Sequence, residues 1–220
     1  MIKACIFDLD GTLLETIHTI TYYVNFALEK NKIPKITEDE CKYFVGKGAK
    51  ILIRRALNSK GIVDEQVYDK VYFDYNEAYD SEPLYLTAAF DGIYELLSKI
   101  KERGIRLAVL SNKPDFPVQR VISKFFPNTF DIVMGSREGV PLKPFPDSSF
   151  EILDGLSVSP AETAFIGDTE NDIETGKNLG VALNIAVSWG FRTGSELKES
   201  EPDIIIDTPM DIIREIIKIK

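Results

Sequence analysis

In Ala4-Cys5-Ile6-Phe7-Asp8-Leu9-Asp10-Gly11-Thr12-Leu13-Leu14 an apolar run stops abruptly at two carboxylates one residue apart, and a glycine follows. Residues Ile2 to Phe7 are apolar without sustained alternation, the pattern of a strand buried on both faces, and Gly11 lets the backbone turn sharply after it. Asp8 and Asp10 therefore sit at the carboxyl end of a strand. In open α/β sheets that end is where ligands bind, because helices packed on both faces leave a crevice there. Side chains two apart in an extended segment share a face, so both carboxylates aim into the crevice. Such a pair resists joint ionisation unless a cation lies between the two or one keeps a proton. Asp-Gly is also a common turn dipeptide, so this stretch alone leaves a turn reading open.

Three later segments repeat the theme. Ile105-Arg106-Leu107-Ala108-Val109-Leu110-Ser111-Asn112-Lys113-Pro114 is a second buried-type strand, ending in a hydroxyl and an amide before a helix that Pro114 helps to start. Ser111 and Asn112 can both donate to an anion. Gly139-Val140-Pro141-Leu142-Lys143-Pro144-Phe145-Pro146 is a loop whose prolines fix its backbone while Lys143 supplies a compact positive charge. Ala164-Phe165-Ile166-Gly167-Asp168-Thr169-Glu170-Asn171-Asp172 is a third apolar strand ending in glycine and acid, with a helical stretch after it.

Between Leu14 and about Leu84 the pattern changes. Ile17, Ile20, Val24, Ala27 and Leu28 recur at helical spacing, and no buried-type strand appears. Further helical stretches cover Ile51 to Leu57 and Val67 to Tyr79, separated by breaks at Gly46-Lys47-Gly48 and Lys60-Gly61. After Phe90 strand and helix alternate again. A helix over Ile93 to Glu102 precedes the strand ending at Ser111, then come a helix after Pro117, a strand near Asp131 to Met134 and a helix near Ser148 to Leu153. Beyond Asp168 the pattern predicts a helix to Leu179, a strand over Val181 to Val187, the run Ile204 to Ile206 and a final helix, which makes the class α/β.

Four motifs in this order, Asp8-Leu9-Asp10-Gly11-Thr12, Ser111-Asn112, Lys143-Pro144 and Gly167-Asp168-Thr169 with Asp172, resemble the haloacid dehalogenase superfamily. Within it the chain is similar to the branch that includes phosphoglycolate phosphatases. The resemblance implies a Rossmann-like parallel-sheet core, residues 1–14 and 85–220, with a small α-helical cap of the C1 type inserted over residues 15–84. It further implies that Asp8 is a nucleophile forming an aspartyl-phosphate, and that Asp10 first protonates the leaving oxygen and then activates water. Thr12, Ser111, Asn112 and Lys143 would contact the phosphoryl group, with Lys143 also holding Asp8. Mg2+ would be the cofactor, held by Asp8, the Asp10 backbone carbonyl, Asp168 and, directly or through water, Asp172. In the cap, Phe44-Val45-Gly46-Lys47-Gly48 is similar to a glycine-containing loop of the same branch. Lys47 and Arg54 are candidates there for a substrate carboxylate, or else solvated charges beside a helix break.

The chain also departs from that pattern. Glu15 stands where many relatives carry aspartate, and Ala89-Phe90-Asp91-Gly92 replaces a Tyr-Pro-Gly turn. Trp189-Gly190-Phe191-Arg192 resembles the late aromatic-glycine loop, with Trp189 as a cover for the core edge the alternative. The reading that follows is a magnesium-dependent phosphatase of a small phosphorylated metabolite, 2-phosphoglycolate first. A sugar-phosphate mutase of the β-phosphoglucomutase type, a pyrophosphatase or nucleotidase, and a silent binding module on the same fold are the alternatives. Thr12 leans toward phosphatase, since mutase relatives often carry valine there, and retention of Asp8, Asp10, Lys143 and Asp168 together speaks against a silent module.

Composition is compatible with this. With 220 residues, 44% of them hydrophobic and 28% charged, the chain has enough apolar surface for a substantial core. No apolar stretch approaches the roughly 20 residues of a membrane helix. The first residues read as a core strand rather than a leader, so a cytoplasmic protein is expected, as monomer or homodimer. A net charge of -9 argues against binding to a nucleic-acid backbone and makes Lys143 and a bound cation the local means of attracting phosphate. Cys5 and Cys41 offer neither a disulfide framework nor zinc spacing, and the single His18 reads as an ordinary helix residue.

Overall fold

The computed structural model describes residues 1–219. Its chain forms two compact units, one of Met1–Glu15 with the chain from Ala89 onward and one of Thr16–Ala88.

The first unit is an α/β layer structure. Strands β1 (Ala4–Phe7), β4 (Arg106–Pro114), β5 (Ile132–Ser136), β6 (Thr163–Gly167), β7 (Leu183–Val187) and β8 (Ile204–Ile206) form one sheet in the order β5-β4-β1-β6-β7-β8. Every neighbouring pair is parallel. Two short strands, β2 (Leu14–Glu15) and β3 (Ala88–Ala89), pair separately. Helices α5 (Ile93–Lys101), α6 (Asp115–Phe125), α7 (Asp147–Leu156), α8 (Glu170–Leu179), α9 (Gly194–Glu199) and α10 (Pro209–Ile216) supply the covering layers. The lack of polar alternation in β1, β6 and β7 is explained by their position, since every one of their residues is buried, Thr163 and Asn184 included. Ala4, Ile6, Ala108, Ile152 and Phe165 pack into one core cluster, where each full-sized apolar side chain contributes about 1.5–3 kcal/mol of transfer free energy. Strand order reverses about β1: the chain runs outward through β4 and β5, then returns to β6 on the other side. The carboxyl end of β1 is thus a topological switch point, the place where such sheets open a crevice.

The second unit is helical, with α1 (Ile17–Lys30), α2 (Glu38–Phe44), α3 (Gly48–Asn58) and α4 (Glu65–Ser81). Thr37 and Glu40 cap α2 reciprocally, and the Asp64 carboxylate accepts from the Gln66 and Val67 amides at the start of α4. Tyrosines fill much of its interior: the Tyr23 ring lies 5.2 Å from that of Tyr79, which lies 5.6 Å from that of Tyr75. Buried Asp74 accepts from the Lys30 ammonium at 2.7 Å and from the Asn31 amide at 2.7 Å. Residues 85–88, expected with the core, pack with the helices: Thr19 donates to the Tyr85 carbonyl at 2.7 Å, and the Tyr85 ring lies 4.7 Å from that of Tyr22. Among the described residues no helix is long and apolar enough to cross a membrane.

Two expected boundaries move. β4 runs on past Ser111 to Pro114, and α6 begins at Asp115 rather than after Pro117. Pro117 falls in the first helical turn, where the missing N–H costs no hydrogen bond.

Candidate active site

The acidic strand ends converge because β1 and β6 are neighbours in register. Phe7 pairs with Ile166, and the amide of Asp8 continues the ladder by donating to the Ile166 carbonyl at 2.9 Å. Asp8 and Asp168 therefore leave adjacent strands side by side. Asp172 enters from the first turn of α8, so that carboxylate oxygens of Asp8, Asp168 and Asp172 all lie within 4.8 Å of one another, and all three residues are buried.

Lys143 sits within this group and is itself buried. Its ammonium donates to Asp8 Oδ1 and to Asp172 Oδ1, each at 2.6 Å. Asn112 holds the lysine's backbone from both sides, accepting from the Lys143 amide at 2.8 Å and donating to its carbonyl at 3.1 Å. The other oxygen of Asp172 accepts from the amide and hydroxyl of Thr169, at 3.0 and 2.7 Å, which caps α8. Asp168 receives the Thr12 hydroxyl at 2.9 Å on Oδ1 and the Phe191 amide at 2.7 Å on Oδ2. The Trp189 indole donates to the Thr12 carbonyl at 3.0 Å, tying the late loop to the loop after β1. Gly11, at φ 90°, and Gly190 both press on Asp168, where a Cβ would run into its carboxylate.

Electrostatically the group is short of positive charge. Burial pushes the Asp8 carboxyl up to about 7; Lys143 pulls it down, and Asp172 and Asp10 add to the rise. Burial, then Asp8 and Asp172, hold Asp168 well above the ordinary carboxylate value against the donors Phe191 and Thr12. Burial works against the Lys143 charge, but Asp172 and Asp8 outweigh it and raise its value, so it stays protonated. Three close carboxylates against one ammonium thus resist joint ionisation. All-oxygen donors with excess negative charge are the chemistry a hard divalent cation requires, and Mg2+ fits this group.

The structure brings Asp8, Lys143, Asp168 and Asp172 into one cluster and sets Ser111, Asn112 and Lys143 around one small cleft. Three of the candidate residues have partners within the chain. Thr12, expected on the phosphoryl group, donates its hydroxyl hydrogen bond to the buried Asp168 carboxylate. Asn112, expected there as well, has its amide engaged on the Lys143 backbone and acts as a tether. Arg54, a candidate for a substrate carboxylate, pairs with both oxygens of Glu65 and stacks 3.7 Å from the centre of the Tyr68 ring. Lys47 stands at the N-cap of α3. Buried Cys5 and Cys41 have thiols pushed up by burial to about 12 and about 11, which suits structural residues.

Sequence reasoning missed Lys113, whose ammonium meets Asp10 Oδ1 at 2.8 Å with both side chains largely buried. The available signal was a cation directly after a hydroxyl-amide pair near a strand end.

Residues 5–186 match the model of the haloacid dehalogenase-like hydrolase family. A phosphoglycolate phosphatase of Haemophilus influenzae is 30% identical over 207 residues, covering 91% of this chain and 92% of the relative. A phosphoglycolate phosphatase of Mannheimia succiniciproducens is 30% identical over 218 residues, covering 94% and 95%. A crystal structure from Lactobacillus delbrueckii subsp. bulgaricus, its protein provisionally assigned as a phosphoglycolate phosphatase, superposes with a TM-score of 0.91 at 32% identity over 97% of this chain and 98% of the other.

Proposed function

The chain belongs to the haloacid dehalogenase-like hydrolase family and is a phosphatase, and from that premise we propose that it is magnesium-dependent and hydrolyses a small phosphorylated metabolite, 2-phosphoglycolate foremost, through an aspartyl-phosphate on Asp8. The observation that carries this reading is the buried Lys143 ammonium on Asp8, beside Asp168 and Asp172. With Asp8 Oδ1 taken by Lys143, Oδ2 is the attacking atom.

In the first step Asp8 Oδ2 forms a bond to phosphorus, the ester P–O bond breaks, and Asp10 gives its proton to the departing oxygen. In the second step Asp10 takes a proton from water as the water oxygen bonds to phosphorus, and the bond to Asp8 breaks to release inorganic phosphate. Lys143 would offset charge on the phosphoryl oxygens and on Asp8, and the Ser111 hydroxyl would donate to the same oxygens. Asp8, the Asp10 carbonyl, Asp168 and Asp172 would hold Mg2+, which when bound supplies positive charge at the phosphoryl group. Preference for 2-phosphoglycolate rests on relatives of that name matched over nine-tenths of the chain.

The test is a screen of phosphate release from 2-phosphoglycolate, glycerol phosphates, sugar phosphates, nucleotides and pyrophosphate, with and without magnesium, on wild type and Asp8→Asn. Magnesium-dependent release that is fastest on 2-phosphoglycolate and abolished in Asp8→Asn is expected. Undiminished turnover by the variant removes the covalent route, and phosphate exchange within a sugar without net release makes the enzyme a mutase.

A further inference from the structure

Lys143 accounts for Asp8 and Asp172, but a second buried ammonium stands in the same unit with no role in the chemistry above. The sheet itself delivers it. Leu110 of β4 is opposite Met134 of β5, yet Pro114 is opposite Ser136, so four steps of β4 match two of β5 and two residues are left over. Ser111, Asn112 and Lys113 lie in this bulge, a device that turns side chains away from regular alternation. Its far end is pinned. Pro114 restricts Lys113 to extended backbone, and the Asp115 carboxylate accepts from the Gly135 amide at 2.8 Å. Lys113 donates its own amide to Ser111 Oγ at 3.2 Å.

The partner is held just as firmly except at its tip. Amides of Thr12, Leu13 and Leu14 all donate to the Leu9 carbonyl, at 3.4, 3.0 and 3.0 Å, and Gly11 donates to the Leu14 carbonyl at 2.8 Å. The backbone around Asp10 is thereby closed into a tight loop, and what is left soft is the carboxyl. Its terminal torsion is intrinsically broad and two-fold, so an unsupported Asp10 would exchange its two oxygens and lose aim. The Lys113 contact at 2.8 Å, with side chains 8% and 15% exposed, removes that freedom.

We propose that Lys113 is a positioning residue for proton transfer: its ammonium fixes Asp10 through Oδ1 and so presents Oδ2 to the leaving-group oxygen. This rests on the reading of Asp10 as the proton carrier. General acid help matters in proportion to how poor the leaving group is, being large for an alkoxide and small for a stabilised phenolate. A residue that aims the acid inherits the same dependence, whereas one that merely supports the fold slows all substrates alike.

The experiment measures first-turnover alcohol release from 2,4-dinitrophenyl phosphate, phenyl phosphate and glycerol phosphate, with kcat and KM, for wild type, Lys113→Met, Lys113→Gln, Lys113→Arg and Asp10→Asn, each checked for an unchanged melting profile. Expected is a loss of about tenfold to a hundredfold on glycerol phosphate in the Met and Gln variants, little loss on the dinitrophenyl ester, KM nearly unchanged, and recovery by arginine. An even loss across the three esters, no loss, or a rise in KM alone overturns the assignment of Lys113. If Asp10→Asn itself shows no leaving-group dependence, the reading of Asp10 fails and takes the proposal with it. If Asp10→Asn shows the dependence and the Lys113 variants do not, only the Lys113 proposal falls. Two neutral replacements of different polarity guard against the chance that one of them fails to fold.

Discussion

The two units treat buried carboxylates in opposite ways. At the end of β1 and β6, Asp8 and Asp168 are pushed above their ordinary value, first by burial and then by neighbouring carboxylates, Asp172 and Asp10 at Asp8 and Asp8 and Asp172 at Asp168. In the helical unit Asp74 is just as buried, yet its carboxyl is held below the ordinary value, because donation from Lys30 and Asn31 outweighs the burial that would raise it. The difference separates a carboxylate matched by donors from carboxylates that outnumber the positive charge beside them. Asp74 has its partners within the chain, whereas the Asp8 group becomes satisfied when positive charge is added.

This contrast can be broken at several points. The largest effect is expected from Asp8→Asn: phosphate release should fall on the order of 10⁴-fold, while the metal-free protein melts no lower, and by relief of repulsion somewhat higher, than wild type. Calorimetry in chelator checks this, and a melting point several degrees lower would make Asp8 a structural residue like Asp74. Next in size, magnesium at about a hundred times its dissociation constant should stabilise wild type by about 2.7 kcal/mol, and Asp168→Asn should abolish that gain. Thermal shift with and without the ion decides it.

In the helical unit the signs reverse. Asp74→Ala should cost about 2 kcal/mol in denaturant unfolding without changing the magnesium response, since it removes the acceptor of two buried donations. Because the folded Asp74 carboxyl is the more acidic, its stabilisation is complete above the usual carboxylate value near about 4 and is lost as pH falls through the folded one. Asp8 runs the other way: folded metal-free protein keeps a proton up to about 7 that the unfolded chain has already lost, so stability falls as pH rises over that window. Stability measured against pH in chelator should therefore show the cost of Asp74→Ala fading at the acid end, and a gain from Asp8→Asn appearing only toward neutrality. The smallest effect, about 1 kcal/mol, is expected for Trp189→Phe, which leaves the Thr12 carbonyl without its indole donor; urea unfolding measures it.

The cluster of Asp8, Asp168, Asp172 and Lys143 was legible in the sequence, because Asp8 and Asp168 are charges where an apolar strand ends, Asp172 follows in the next helical turn and Lys143 stands where prolines stiffen a loop. The parallel α/β core was legible for the same reason: strands buried on both faces cannot alternate. Lys113 was not, since β4 looks finished at Ser111, and a bulge is a property of two strands in register rather than of one. The intrachain partners of Thr12 and Asn112 were not legible. A hydroxyl or amide donates equally well to an anion or to a neighbouring residue, and only the assembled site shows that Asp168 and the Lys143 backbone come first. In the helical unit, packing of residues 85–88 depends on Tyr85 meeting Tyr22 far along the chain, which no local period records. The pairing of Arg54 with Glu65, eleven positions on at the start of another helix, was likewise not legible.

Gly167 presses on Asp172 as Gly11 and Gly190 press on Asp168, and at each a methyl group would collide with a carboxylate. Two metal-ligand candidates are thus kept in place by three residues that have no side chain. Drift at these positions has no small first step, because alanine, the most modest replacement, already displaces a working group. A survey of the molecule by reactive side chains would pass over them, though the spacing of the acids is set there as much as by the acids themselves.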